Sequence, residues 1–327
     1  MAVAAETGRR RLAVPRVRRA LRPIAEARGL ARVMLWTGAL ITGFFVVLAV
    51  FAFAISPYAF DQYQSHGKRF DQLGHPSSAH IFGTTVQSTD VLARVIWGAQ
   101  TELEVVVLAL VFGLAIGVPI GVVSGYFGGP LDRALVLIMD ALFAFPYLLL
   151  AIVIAFLLGG SVGKGVLTAA IAITVVYIPQ YFRVVRNHVI SVREEPFVEA
   201  ARALGAKPFT IMRRYVFFNV VQNVPVIATL NAADAILTLA ALGFLGYGIQ
   251  PSQAAEWGYD ISRAQSDASS GIWWTGLYPG LAIVLLVTGL TLLGEGLNET
   301  INPVLRQRRV QKVELGGGSI VEAEIGE

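Results

Sequence analysis

Hydrophobic and polar positions along this chain come in blocks rather than in strand or heptad spacing. Six apolar runs, near residues 33–55, 103–123, 134–158, 166–185, 220–245 and 276–297, are each long enough to cross a hydrocarbon core of ~30 Å, which takes about 20 helical residues. They predict an all-α polytopic membrane protein with six transmembrane helices. The fourth run is the most polar, because Pro179, Gln180 and Arg183 fall near its end. The first is longer than a signal-peptide core and lacks a small-residue cleavage site, so it is expected to remain as a helix. The pattern divides the chain into four parts: an Arg-rich arm (1–30), a first span with a long polar connection (31–100), a five-helix core (101–305) and a tail (306–327). The glycines and late glutamates of the tail predict no fixed structure.

Composition points the same way. Apolar residues make up 55% of the chain and charged residues 15%, against roughly 25% charged in soluble domains. With no cysteine, disulfides, thiolate chemistry and Cys-ligated zinc are excluded. The formal charge of +4 does not read as a nucleic-acid surface, since the basic residues sit at the ends of apolar runs. Their sidedness sets orientation. Of the 26 Lys and Arg, Lys68, Arg69, Arg94, Lys164 and Arg263 fall on one side, and the rest lie in the N-terminal arm, at Arg133, between Arg183 and Arg214, and between Arg306 and Lys312. Both termini and the segment around Arg193–Arg214 are therefore expected in the cytoplasm. The arm either lies on anionic lipid, at ~1 kcal/mol per basic residue near the surface, or serves only as a topology signal.

The most informative polar stretch follows the fourth run: Ser191-Val-Arg-Glu-Glu-Pro-Phe-Val-Glu-Ala-Ala-Arg-Ala-Leu-Gly205-Ala-Lys-Pro. Pro196 suits a first helical position, where its missing N–H costs nothing. Glu194, Glu195 and Glu199 place negative charge at the positive end of a helix, and Gly205 can take the left-handed conformation that stops it. Ala200, Ala201 and Ala203 leave a small-residue surface open to close approach by another protein. The pattern Glu-Ala-Ala-x-x-x-Gly resembles the cytoplasmic coupling loop of ABC-transporter permeases of the importer type, a helix that docks into a groove of the ATPase subunit.

The resemblance extends over about Arg28 to Arg309. His80-Ile-Phe-Gly-Thr-Thr85 followed by Asp90-Val-Leu-Ala-Arg-Val-Ile-Trp-Gly-Ala99 is similar to the lead-in to span two of dipeptide/oligopeptide/nickel permeases. Gly243-Phe-Leu-Gly-Tyr-Gly-Ile-Gln-Pro251 with Glu256-Trp-Gly258, Trp273 to Ile283, and Leu292-Leu-Gly-Glu-Gly-Leu297 with Asn302-Pro303 resemble that family's later segments. In order and spacing the chain resembles the second, C-type permease subunit. The resemblance implies the type I importer permease fold in a bacterial inner membrane, with both termini cytoplasmic. It implies import of dipeptides or oligopeptides alongside a homologous second permease, two ATPase subunits and an extracytoplasmic substrate-binding protein. ATP and magnesium belong to the ATPases; no cofactor, catalytic residue or nucleic-acid partner is expected of this chain. Carried over by position, Glu199, Ala200, Ala201, Arg202, Leu204 and Gly205 are the coupling residues, within a helix at 196–205. One departure stands out: the family's proline after the coupling helix is replaced at Phe218, which puts a fixed break there in doubt.

Other patterns carry less. Gly159-Gly-Ser-Val-Gly-Lys164-Gly has the wrong spacing for a phosphate loop and no Ser or Thr after the lysine; it reads as a turn. Gly246-Tyr-Gly248 lacks the Thr-Val of a potassium filter, and Asn298-Glu-Thr300 lies at a cytoplasmic helix end. His66, His75 and His80 match no common ligand spacing and read as solvated surface residues, while Trp273 and Trp274 read as interfacial anchors. In span two, Gly113, Gly117, Gly121 and Gly125 recur every fourth residue, a seam for close helix packing used either inside the bundle or against a partner permease. Asn231 and Asp234 fall on one face near the middle of span five. An ionised Asp there costs about 2.5–3.5 kcal/mol on insertion scales, so it should face the bundle interior or a translocation path. The alternatives are an importer of nickel or another small solute, or a stand-alone secondary transporter. The second predicts paired broken helices with several intramembrane charges; the intramembrane charges here are sparse.

Overall fold

The computed structural model describes residues 29–159, 165–301, 311–315 and 319–323. The Arg-rich arm up to Arg28, the turn around Lys164 and the Asn302-Pro303 exit therefore lie outside the described residues. Five helices are long and apolar enough to cross a membrane, and a bent pair supplies a sixth crossing if it counts as one.

The first span is helix α1 (Gly29–Val50), extended by the short α2 (Ala52–Ile55). A polar connection with a two-stranded ribbon (Gln64–Ser65 paired with Lys68–Arg69) leads to α3 (Val91–Phe127). Asp90 starts α3: its carboxylate accepts the Ala93 N–H at 2.7 Å, satisfying one of the donors that every helix N-terminus leaves free. The helix begins well before the predicted run at 103, because Arg94, Thr101 and Glu102 find burial against the rest of the protein rather than solvent.

The predicted third span is not one helix. It divides into α4 (Gly129–Ala144) and α5 (Tyr147–Gly159), bent by 95°. Pro146 supplies no N–H and clashes with a helical predecessor; Phe145 accordingly turns extended, at φ −75° and ψ 139°. The fourth span, expected to be the weakest, is the long α6 (Val166–Arg193), which continues through Pro179 and Arg183. After it come α7 (Pro196–Ala203) and α8 (Pro208–Ile211), a π turn over Met212–Val216, α9 (Phe217–Val220) and a 3₁₀ turn over Val221–Asn223. The chain thus enters α10 (Val224–Phe244) through a series of altered turns instead of one proline break at Phe218. Helices α11 (Trp257–Ser269) and α12 (Trp274–Ile301) complete the bundle. In the tail expected to lack structure, Gln311–Leu315 pairs antiparallel with Ser319–Ala323. The alternation in Gln-Lys-Val-Glu-Leu and the three glycines between the strands are hairpin signals that composition alone concealed.

Helix α3 packs most extensively on α6, and α12 on α1. The glycine seam of α3 makes the first contact possible. A Cβ on Gly117 would lie 2.7 Å from the Tyr181 Cβ, and one on Gly125 would lie 2.7 Å from the Arg186 carbonyl oxygen. Gly113 and Gly121 face Tyr181, Phe182 and Val185 in the same way. The seam therefore lies inside this chain. At the α11 end, Trp257 is fully buried and donates its indole N–H to the Val95 carbonyl at 3.1 Å. Trp274 is also buried, its N–H on the Thr84 carbonyl at 3.3 Å. Only Trp273, which stays exposed, suits the anchoring role expected of the pair. His66 and His75 are exposed, whereas His80 is tucked against Asp90 at 2.8 Å, so it is not the solvated residue its spacing suggested.

Candidate functional site

Helix α7 starts where its residues dictate but ends at Ala203, with Leu204 as its C-cap, two residues short of the expected 196–205. Pro196 opens it, Glu199 lies in its first turn, and Gly205 stops it at φ +79°. The stop is a Schellman pair: the Ala206 N–H reaches the Ala201 carbonyl at 3.0 Å and the Gly205 N–H the Arg202 carbonyl at 2.9 Å. Two residues of α7, Val198 and Ala201, are buried in a cluster with Val189, Ile211 and Val216. The rest of α7 is open: Phe197, Glu199, Ala200 and Arg202 are exposed, as are Leu204 just past it and Phe209 of α8. Leu204 is 89% exposed and Phe209 68%. Large apolar side chains this bare, beside the small Ala200, form a knob suited to a complementary groove.

The knob is tied to the spans by a polar knot that sequence reasoning missed. Arg186 of α6 grips Asp132 of α4 with two guanidinium nitrogens, the second at 2.7 Å. Ser124 of α3 donates to the same carboxylate. Arg193, just before α7, donates to the Gly125 carbonyl at 2.9 Å. The ends of α3, α4 and α6 are thus joined where α7 begins. Asp132 and Arg186 are far apart in sequence, and nothing in the local pattern pairs them.

A second arrangement lies between α5, α6 and α10. A cavity of about 380 Å³ opens at the α4–α5 elbow, lined by Phe145, Tyr147, Tyr177, Gln180, Asp234 and Leu237 among others. A neighbouring cavity of about 390 Å³ is lined by Phe156, Thr168, Tyr247 and adjoining residues. The Tyr177 hydroxyl meets the Thr238 hydroxyl at 3.2 Å, and Thr238 donates to the Asp234 backbone carbonyl at 2.9 Å. Asp234 faces the first cavity, but Asn231, which was expected to share its surface, is buried and is not part of the lining. Pro146, which makes the elbow, was visible in the apolar run and is the signal that points to this site.

At the other end, α11 is locked down. Glu256 caps it, accepting the Gly258 and Tyr259 N–H groups at 2.7 Å each. The carboxyl lies over Gly243, where any side chain would collide with it, and beside the fully buried Glu102. Burial pushes the Glu256 carboxyl up to about 8, against the pull of its two N–H donors. Arg94 of α3, itself buried, pairs with Asp260 of α11 at 2.6 Å.

A bundle of spans with a short, half-buried helix in the connection between two of them fits one class, the membrane permease subunit of an ABC importer. The chain belongs to the binding-protein-dependent transport system inner membrane component family, whose match covers residues 117–307. It is 36% identical over 269 residues to the dipeptide transport system permease protein DppC of Alkalihalophilus pseudofirmus, covering 82% of this chain and 85% of that protein. It is 35% identical over 274 residues to the glutathione transport system permease protein GsiD of Escherichia coli, covering 84% and 87%. A chain of the MetNI methionine ABC transporter, seen in inward-facing conformations, shares the fold with a TM-score of 0.52 at 22% identity, over 64% of this chain and 96% of that one. The chain is thus a multi-pass inner-membrane permease, not the catalytic subunit; ATP hydrolysis belongs to a separate subunit.

Proposed function

We propose that this chain is one of two homologous permeases in an importer of dipeptides or oligopeptides, driven by two ATPase subunits that grip α7. The observation that carries the reading is the knob at α7 and α8: Leu204, just past α7, and Phe209 of α8 are bare, while Val198 and Ala201 of α7 are buried. The sidedness of the basic residues supports a cytoplasmic position for α7, within reach of ATP-binding subunits. Both termini are then cytoplasmic, and α11 lies outside, toward a substrate-binding protein.

In this reading ATP and magnesium are held by the ATPase pair, and this chain contributes the mechanical link. Closure of the ATPases draws the α7 knob inward. The Asp132–Arg186 and Arg193–Gly125 contacts pass the displacement to α3, α4 and α6. Rotation of these helices switches the Asp234 cavity from one side of the membrane to the other. Glu199, Ala200, Ala201, Arg202, Leu204 and Gly205 are the coupling residues, and Asp234 lines the path. The peptide cargo rests on the likeness to dipeptide and glutathione permeases.

The test is affinity purification of the tagged chain from cells co-expressing the neighbouring transporter subunits. ATPase subunits should co-elute with the wild type, and Gly205→Pro, which forbids the positive φ of the stop, should lose them or lose ATP-driven uptake. Wild-type retention and uptake by that variant would remove α7 from the coupling role.

A further inference from the structure

Asp234 sits at the midpoint of α10 (Val224–Phe244), in a stretch with no other charge. It is exposed on the surface of the chain and lines the cavity of about 380 Å³ at the α4–α5 elbow. Its carboxylate has no hydrogen bond or ion pair among the described residues. Arg183, on the lining helix α6, is already engaged: it binds Asp140 at 2.7 Å and lies over the Phe143 ring at 4.1 Å. A lone carboxylate at this depth is costly toward lipid, which favours a place on the cavity it lines. A polar surround has been built for it. Tyr147, Tyr177 and Gln180 line the same cavity, and Tyr177 is held in place by Thr238. Phe145, Leu142 and Leu237 supply apolar wall.

Resting on the importer reading above, we propose that Asp234 is the path's cation acceptor: it takes the ammonium group of cargo bearing a free amine. A carboxylate in a partly dry cavity favours a cation strongly and a neutral group weakly. Tyr147, Tyr177 and Gln180 provide neutral hydrogen-bonding groups suited to the amide next to that ammonium. The apolar wall accepts side chains of varied shape, which fits a path that discriminates by backbone charge and leaves side-chain choice to the binding protein. A neutral or anionic solute gains nothing from this carboxylate.

The experiment uses the whole transporter, reconstituted with its partner subunits and binding protein, and measures ATP-dependent uptake of labelled Ala-Ala-Ala and of its N-acetyl form. Asp234→Asn keeps the shape and removes the charge; Asp234→Glu keeps the charge. Expected are a loss of about tenfold in Ala-Ala-Ala uptake with Asp234→Asn, the size of one charge-assisted hydrogen bond, and substantial rescue with Asp234→Glu. Any N-acetyl peptide uptake should be the same in wild type and Asp234→Asn. Unchanged Ala-Ala-Ala uptake by Asp234→Asn, or equal losses for both peptides, would overturn the inference while leaving the importer reading intact. Loss of subunit co-elution with Asp234→Asn would also overturn it, assigning the carboxylate to a basic residue of the second permease. No ATP-dependent uptake of either peptide by the wild type would remove the peptide-importer reading and this inference together.

Discussion

Replacing Leu204 with Gln separates docking from folding more cleanly than any other single change. The side chain is 89% exposed and follows the last turn of α7, so it adds almost nothing to the packing of the chain itself. Seating a leucine fully in an apolar groove is worth roughly 1.5–3 kcal/mol. Leu204→Gln should therefore weaken association with the ATPase subunits by about ten- to a hundredfold. The thermal unfolding temperature of the purified permease should stay where it is. Val198→Ala makes the contrast: this side chain is fully buried, and its loss should lower stability by about 1–3 kcal/mol through the cavity it leaves. The assay is a titration of the solubilised permease with labelled ATPase, paired with a thermal melt. Unchanged ATPase affinity in Leu204→Gln would refute the docking argument; a large drop in melting temperature would refute the claim that the side chain is free.

Three further outcomes are expected. Gly117→Val should destabilise the α3–α6 contact by about 1–3 kcal/mol, as overpacking does, because its Cβ would press on Tyr181; a melt within error of the wild type would contradict the seam. Burial holds the Glu256–Glu102 carboxyl pair above the ordinary carboxylate range in the folded protein, so the folded state keeps protons that the unfolded chain releases at about 4.3. The stability this contributes is full below that value and is lost as pH rises above it; a fall in melting temperature from pH 5 to pH 8, smaller in the double variant Glu256→Gln with Glu102→Gln, is the expected readout, and an identical slope in both would contradict it. Because the chain has no cysteine, Ser269→Cys in intact cells should react with a membrane-impermeant thiol reagent and Ser191→Cys should react only after the cells are opened. The reverse would put α7 beyond reach of ATP.

The parts of this fold that depend on local sequence were readable in advance. Composition and run length announce the spans, and Pro196, Glu199 and Gly205 each act on the backbone within one turn, so α7 and its stop follow from chemistry alone. What escaped depends on contacts across the chain or on one residue within a run. The 95° elbow hangs on Pro146, whose effect is masked in a window average by the leucines around it. The Asp132–Arg186 grip joins two helices that sequence cannot place side by side. The same holds for Asn231 and Asp234: three positions on a helix put them near each other, but the rim of the cavity runs between them. Trp274 matches an interfacial anchor by position, yet the loop at Thr84 folds over it.

On this reading the chain moves cargo inward only when ATPases pull on α7. Proteoliposomes carrying the complete transporter, with the binding protein and labelled peptide on one face and ATP on the ATPase face, test it directly. Peptide should accumulate on the ATPase side, require ATP, and fail to accumulate in Gly205→Pro. Accumulation by this chain without ATPases or ATP, driven by an ion gradient instead, would contradict it.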